Sequence, residues 1–277
     1  MRRAIHARAT VGSRSLDASV PSTAESASIS ALTGLPVVAI ARNSCTCNHL
    51  GQGVWLRLQL PGHSLRGATQ RRIEMSAARF KQVADAAKID RTVAALAKRG
   101  FAATVVANGA AAKEAVLALI PAGSEVFTFT SATLDATGLT EALNAAPYKS
   151  LRDKMYGLDR ATQGAEMRAI GSAPAFAVGS VHAVTEAGEL MVASATGSQL
   201  PAYAYGAGHV VFVVGAQKIV NDLAEATERI ATYTLPLEDV RAQAAYGVHS
   251  AINKTLTLHG EMPGRIDVVI VAEELGF

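Results

Sequence analysis

Three short stretches hold the side chains best suited to chemistry: Thr130-Ser131-Ala132-Thr133, then Ser180 to Gly188, then Gly215-Ala216-Gln217-Lys218. In the first, hydroxyls and free backbone N–H groups open a predicted helix. That suits a phosphate or carboxylate, helped by the positive end of the helix dipole. Simple capping by Thr or Ser accounts for the same residues. In the second stretch, Glu186 falls between an apolar segment and a strand. A carboxylate there can act as general base, nucleophile or hydroxyl ligand. The alternative is a surface turn in which Gly188 supplies a positive φ. His182 reads as a structural or partly exposed histidine. In the third, Lys218 directly follows the strongest strand and can reach an anion at the next helix, or be an ordinary solvated lysine.

Other chemistries lack their residues. There is no GxxxxGK[ST], no GxGxxG, no HExxH and no GxSxG, and Gly206-Ala207-Gly208 precedes a strand instead of following one. Both cysteines, Cys45 and Cys47, lie near the N-terminus, one residue apart. Residues 75–277 contain none, so disulfides, zinc–thiolate sites and cysteine-held iron–sulfur clusters are excluded there.

The elements that must position these loops begin at Ser76. Phe80, Val83, Ala87, Val93 and Leu96 recur at helical spacing, with Gly100 as the C-cap. Short apolar strands are predicted at 104–106, 125–129, 175–178, 189–192, 209–214 and 265–271. Helices are predicted at 110–120, 138–144, 151–170 and 222–231. His249 and His259 fall in loop. Alternating strands and amphipathic helices imply an α/β fold, a mostly parallel sheet with helices on both faces. Ligands of such sheets bind at the carboxyl ends of strands, where all three stretches fall.

The charge is divided. Residues 1–74 hold nine Arg, no Lys and three acidic residues, a net +6; residues 75–277 carry −3. The larger part has no basic stripe and few aromatic residues, which argues against nucleic acid. The apolar run Leu32–Ala41 is about half the roughly 20 residues a membrane span needs. A protein without membrane or nucleic-acid partners, in the cytoplasm, is expected. Residues 1–74 read as a transit peptide, a disordered tail, or a non-native leader preceding a true start at Met75, the reading preferred here. Residues 75–277 form the expected α/β domain.

Taken together, the stretch from Ser180 to Leu190, Thr196-Gly197-Ser198-Gln199, Tyr205-Gly206, the run from His209 to Val220 and Ala226-Thr227-Glu228-Arg229 resemble the signature of the lactate-utilisation (LUD) domain family. The resemblance covers about residues 85–277. It implies a fold similar to the ribose-5-phosphate isomerase, glucosamine-phosphate isomerase and CoA-transferase group, whose members bind phosphorylated sugars or CoA esters. It makes Glu186 the acidic candidate for catalysis, and Thr130, Ser131, Thr133 and Lys218 anion contacts. Ser180, Gly188, Gly197, Gln199 and Gly215 complete the implied ligand site. The implied ligand is a small organic acid or a phosphorylated or CoA-type molecule. No cofactor is expected in this chain, and iron–sulfur clusters would sit on partner subunits that oxidise lactate to pyruvate. A stand-alone isomerase or CoA-transferase using Glu186, or a non-catalytic binding subunit, are the alternatives. Ser198-Gln199 stands where many members have Asn-Arg, removing one cation from the expected pocket.

Overall fold

A computed structural model describes residues 78–277; the expectations for residues 1–74 and Cys45–Cys47 lie outside the described residues. Helix α1 (Ala86–Lys98) opens on Asp85, whose carboxylate accepts the Lys88 N–H at 2.7 Å. It closes at Gly100, φ +87°, where a side chain would run into the Glu261 carbonyl. The helix predicted from Phe80 is interrupted before Asp85. There follow β1 (Ala102–Val106), α2 (Gly109–Leu119, capped by Asn108), β2 (Glu125–Thr128), α3 (Ala132–Ala136) and α4 (Leu139–Leu143). Next come β3 (Lys149–Ser150), α5 (Leu151–Tyr156) and α6 (Gly164–Ser172). The single helix expected over 151–170 is therefore two. Between them the Asp159 carboxylate takes the Ala161 N–H and the Thr162 hydroxyl, a local turn that competes with helix continuation.

The rest comprises β4 (Phe176–Gly179), β5 (Ala183–Thr185), β6 (Leu190–Ser194), β7 (His209–Gly215), β8 (Ile219–Val220), α7 (Leu223–Arg229), α8 (Leu235–Tyr246), β9 (Lys254–Leu258) and β10 (Ile266–Val271). Six strands form one sheet in the order β1-β10-β7-β4-β2-β3, every neighbouring pair parallel. The α/β expectation holds. What the sequence reading lacked is a second sheet, β8-β5-β6-β9, in which β6 runs antiparallel to both neighbours.

The alternation along β7 divides the core. Val210, Phe212 and Val214 face a layer shared with Val184, Leu190 and Val192 of the small sheet and with Ile89 and Leu96 of α1. Val211 and Val213 face the opposite layer, with Ala112 and Val116 of α2, Leu134 of α3 and Leu139 of α4. Ala183, Met191 and Ala193 form the far side of the small sheet, against Ala226 of α7 and Ile230. Each buried aliphatic side chain contributes about 1.5–3 kcal/mol, and because both faces of β7 are covered the strand is apolar from Val210 to Val214. No helix among the described residues is long and apolar enough to cross a membrane.

Candidate functional site

Strands β7, β4 and β2 are neighbours and parallel, so their carboxyl ends open side by side. Over them lies a cleft of about 990 Å³, at the top of the range usual for small-molecule sites. Its floor is made by the three loops singled out in the sequence. After β2 come Thr130, Ser131 and Thr133, with Ser131 capping α3 through Leu134 N–H. Ser180 and His182 follow β4. Lys218 ends the tight turn after β7.

Lys218 joins the loops. Although 2% exposed, it reaches three oxygens: Thr133 Oγ1 at 2.9 Å, Ser180 Oγ at 3.1 Å and the Val181 carbonyl at 3.3 Å. Burial, reinforced by the positive charge of Arg229, pushes its amine well below the usual lysine range. Arg229 itself is fully buried, packed beside the rings of Phe80 and Tyr233 with its Cζ 5.9 and 5.1 Å from their centroids. Its Nη1 donates to the His182 carbonyl and to Thr234 Oγ1, while Nε and Nη2 have no partner. Burial lowers its pKa to about 10. Among the described residues no carboxylate makes an ion pair with Lys218 or Arg229.

His182 accepts the Ala193 N–H at Nδ1, 3.1 Å, so in its neutral form Nε2 carries the proton. Burial, with Lys218 and Arg229 nearby, depresses its pKa from 6.5 to about 3. Across physiological pH it is a neutral donor. The unfolded chain takes up this proton near pH 6.5 and the folded chain only near 3, so stability falls as pH drops through that window. His182→Gln, whose amide oxygen can replace Nδ1, is expected to remove about 1.4 kcal/mol per pH unit from that slope. Denaturant titrations across the window, compared with the wild type, measure it; an unchanged slope would show that His182 is charged in the fold.

The walls carry more cations. Arg152, Arg160, Arg168 and Arg241 line the cleft, against one carboxylate, Glu238. Arg152 donates to the Thr128 carbonyl at 3.2 Å, and Arg241 is held by Glu238 at 2.7 Å. The two hydrogen bonds that Arg241 donates to the Glu238 carboxylate hold its guanidinium above its ordinary pKa. Tyr203 also lines the cleft. Its hydroxyl lies over Gly179, where a Cβ would meet it at 1.9 Å, and it makes no hydrogen bond to the described residues.

A family model described as the LUD domain matches residues 89–271, and its span contains every strand of both sheets. The chain belongs to the LUD domain family. Among solved structures, a DUF162 family protein from Deinococcus radiodurans is 16% identical, with a TM-score of 0.42 over 69% of this chain and 99% of that one. No curated protein matches.

Of the site residues expected from the sequence, the cleft takes in Thr130, Ser131, Thr133, Ser180, Gly197, Gln199 and Lys218. Glu186, Gly188 and Gly215 lie outside it. For Glu186 this corrects the expected placement, and the reason is the antiparallel β5–β6 hairpin. Glu186 sits in its turn, which points at α1, and its carboxylate pairs with Lys88 at 3.3 Å and Arg91 at 3.2 Å. Gly188, φ +84°, presses against the backbone of Ala95 and Leu96. The turn fastens the small sheet to α1. Because such half-exposed pairs contribute about 0–1 kcal/mol, Glu186→Gln is expected to change stability by less than about 1 kcal/mol and ligand binding not at all. A LUD protein crippled by that substitution in a ligand titration would return Glu186 to the site. Gly215 is needed for close approach, since a side chain there would strike Gln217 Oε1 and Leu275 N.

The sequence reading missed Tyr203, His182 as a site residue, and the arginines. Arg152, Arg160 and Arg168 stand eight apart, about 80° per step around a helix, so no shared face announced them, and Arg160 falls in the turn between α5 and α6. They supply positive charge that the replacement of Asn-Arg by Ser198-Gln199 takes away.

Proposed function

We propose that the protein binds a small organic anion in this cleft, a hydroxy acid such as lactate or a phosphorylated or CoA-type derivative, and serves lactate utilisation in the cytoplasm. The observation that carries the reading is the pair of buried basic side chains, Lys218 and Arg229, with no carboxylate among the described residues paired to either. An uncompensated buried charge is costly, and an anion bound above the loops offsets that cost. Cations on the walls add steering at long range. Membership of the LUD family supports the role in lactate utilisation. The size of the cleft favours the larger ligands, because lactate alone would fill a small part of it.

Oxidation of lactate needs an electron acceptor, and residues 75–277 have no cysteine to hold a cluster. Iron–sulfur partner subunits are therefore part of the reading. A transfer reaction through Glu186 finds no support, given the ion pairs that hold that carboxylate against α1. The test is calorimetry and thermal shift with lactate, pyruvate, sugar phosphates and acyl-CoA, each at several salt concentrations. Saturable, salt-sensitive binding of at least one is expected. Indifference to all of them would sink the anion reading. Co-purification of an iron–sulfur protein with the natively expressed chain tests the partner.

A further inference from the structure

The polar floor of the cleft holds more than an anion-binding site requires. Lys218 Nζ has four tetrahedral directions. One is its own carbon and the others meet Thr133 Oγ1, Ser180 Oγ and the Val181 carbonyl. A substrate carbonyl has no open approach to that nitrogen, which argues against imine chemistry. The Val181 carbonyl can only accept. The Thr133 hydroxyl has its own acceptor, the Leu275 carbonyl at 3.3 Å. The Ser180 hydroxyl can in turn donate to the Val181 carbonyl at 3.3 Å. Against a neutral amine that donates to Val181 and Thr133, it can instead donate to the Lys218 lone pair 3.1 Å away; this second arrangement readies Ser180 for attack. Ser180 lines the cleft directly after β4.

Two further groups fit around this pair. Nε2–H of His182 and O–H of Tyr203 both belong to residues lining the cleft, and neither bonds to a described residue. Tyr203, 2% exposed, has its hydroxyl beside Gly179, the residue before Ser180. These are neutral donors on residues that line the same cleft as Ser180, and they are the groups available to an oxyanion formed on a carbonyl attacked by Ser180.

We infer that Ser180 is a nucleophile with Lys218 as its general base, and that the protein cleaves or transfers the acyl group of an ester or thioester bearing a negative charge. The anionic character of that substrate rests on the reading above; the nucleophile does not. In the first half-reaction Ser180 passes its proton to Lys218 Nζ as Oγ bonds to the acyl carbon. The carbonyl oxygen takes negative charge against His182 and Tyr203. Collapse breaks the bond to the alcohol or thiol, which leaves with the proton from Lys218. In the second, water gives its proton to Lys218, attacks the acyl-serine and releases the acid, and Ser180 recovers its proton. Water is the only co-reactant. Burial beside Arg229 keeps the amine form of Lys218 accessible.

The test uses the full chain and p-nitrophenyl hemisuccinate, an activated anionic ester. Release of nitrophenolate is expected, with a succinyl adduct mapped to Ser180 by peptide mass spectrometry and a rate rising with pH. Ser180→Ala should abolish the adduct. Lys218→Arg keeps a cation but supplies no base, and is expected to slow acylation roughly a hundredfold or more, with folding followed by circular dichroism. An adduct that survives Ser180→Ala, or Lys218→Arg at full rate, overturns the assignment. Calorimetry with succinate on the wild type separates the two readings: binding without acylation overturns the nucleophile alone. Acylation without succinate binding sustains the nucleophile and overturns the anion site.

Discussion

Lys218→Met should weaken binding of a carboxylate or phosphate ligand about ten- to hundredfold while leaving the protein folded. With its own directions filled, Lys218 acts on the ligand through the Thr133 and Ser180 hydroxyls it holds. A hydrogen bond to a charged group contributes about 1.5–3 kcal/mol, and every 1.4 kcal/mol or so is a factor of ten. The fold should survive because methionine matches the buried stem of Lys218, and apolar replacement of a buried charge is often neutral. The Thr133 and Ser180 hydroxyls can then turn to each other or to the Leu275 and Val181 carbonyls.

The pH dependence is more telling than the loss. The folded-state pKa of Lys218 lies well below its ordinary 10.5. The unfolded chain therefore holds a proton there that the native state gives up, and stability rises with pH from the lowered pKa towards 10.5. In Lys218→Met that rise should vanish. Conversely, an anion binds best to the ammonium, so wild-type binding should take up a proton and weaken as pH rises, and the variant should do neither. Calorimetry in buffers of different ionisation enthalpy reads the proton directly. Equal affinity in both proteins would remove Lys218 from the site.

Gly188→Ala should cost about 3 kcal/mol or more, and lower Tm by about 6–12 °C for a chain of this size. Two costs add. Alanine at φ +84° occupies a left-handed conformation that costs about 1 kcal/mol. Its Cβ would also stand 2.7 Å from the Ala95 carbon and the Leu96 nitrogen. Those are backbone atoms of α1, so relief requires moving the hairpin off the helix. Arg99 would be disturbed as well, since its Nε donates to the Ala187 carbonyl and it pairs with Glu189 at 3.5 Å. Differential scanning calorimetry gives the answer. A fall of only a degree or two would mean that hairpin and helix separate freely.

That contrast between Lys218 and Gly188 bears on how far the site was legible. Both belong to the same family signature, yet one holds the floor of the cleft and the other holds the architecture. The run His209–Val214 announced a buried parallel strand because both of its faces are covered. The loops at Thr130, Ser180 and Lys218 were readable because parallel strands present their carboxyl ends together. Glu186 was misplaced because the same rule was applied to a hairpin, and polar residues in an antiparallel turn look the same in sequence as those in a strand-to-helix loop. Lys254-Thr255-Leu256-Thr257-Leu258 alternates with a period of two and could have been read as β9. The convergence of Tyr203, Arg152 and Arg168 is set by tertiary packing between distant segments, and no local pattern specifies it.

The position of β7 between β10 and β4, with an apolar layer on either face, has a consequence in time. Amides of such a strand exchange with solvent only when the whole domain opens, whereas short peripheral elements fray locally. Lys218 is attached three residues beyond its end. The rim around Val248 to Ile252 follows a helix instead and joins no sheet until Lys254. The cleft thus pairs a floor tied to global opening with a rim held by one side chain, the Asp239 carboxylate, which bonds the His249 ring and accepts the Ser250 N–H.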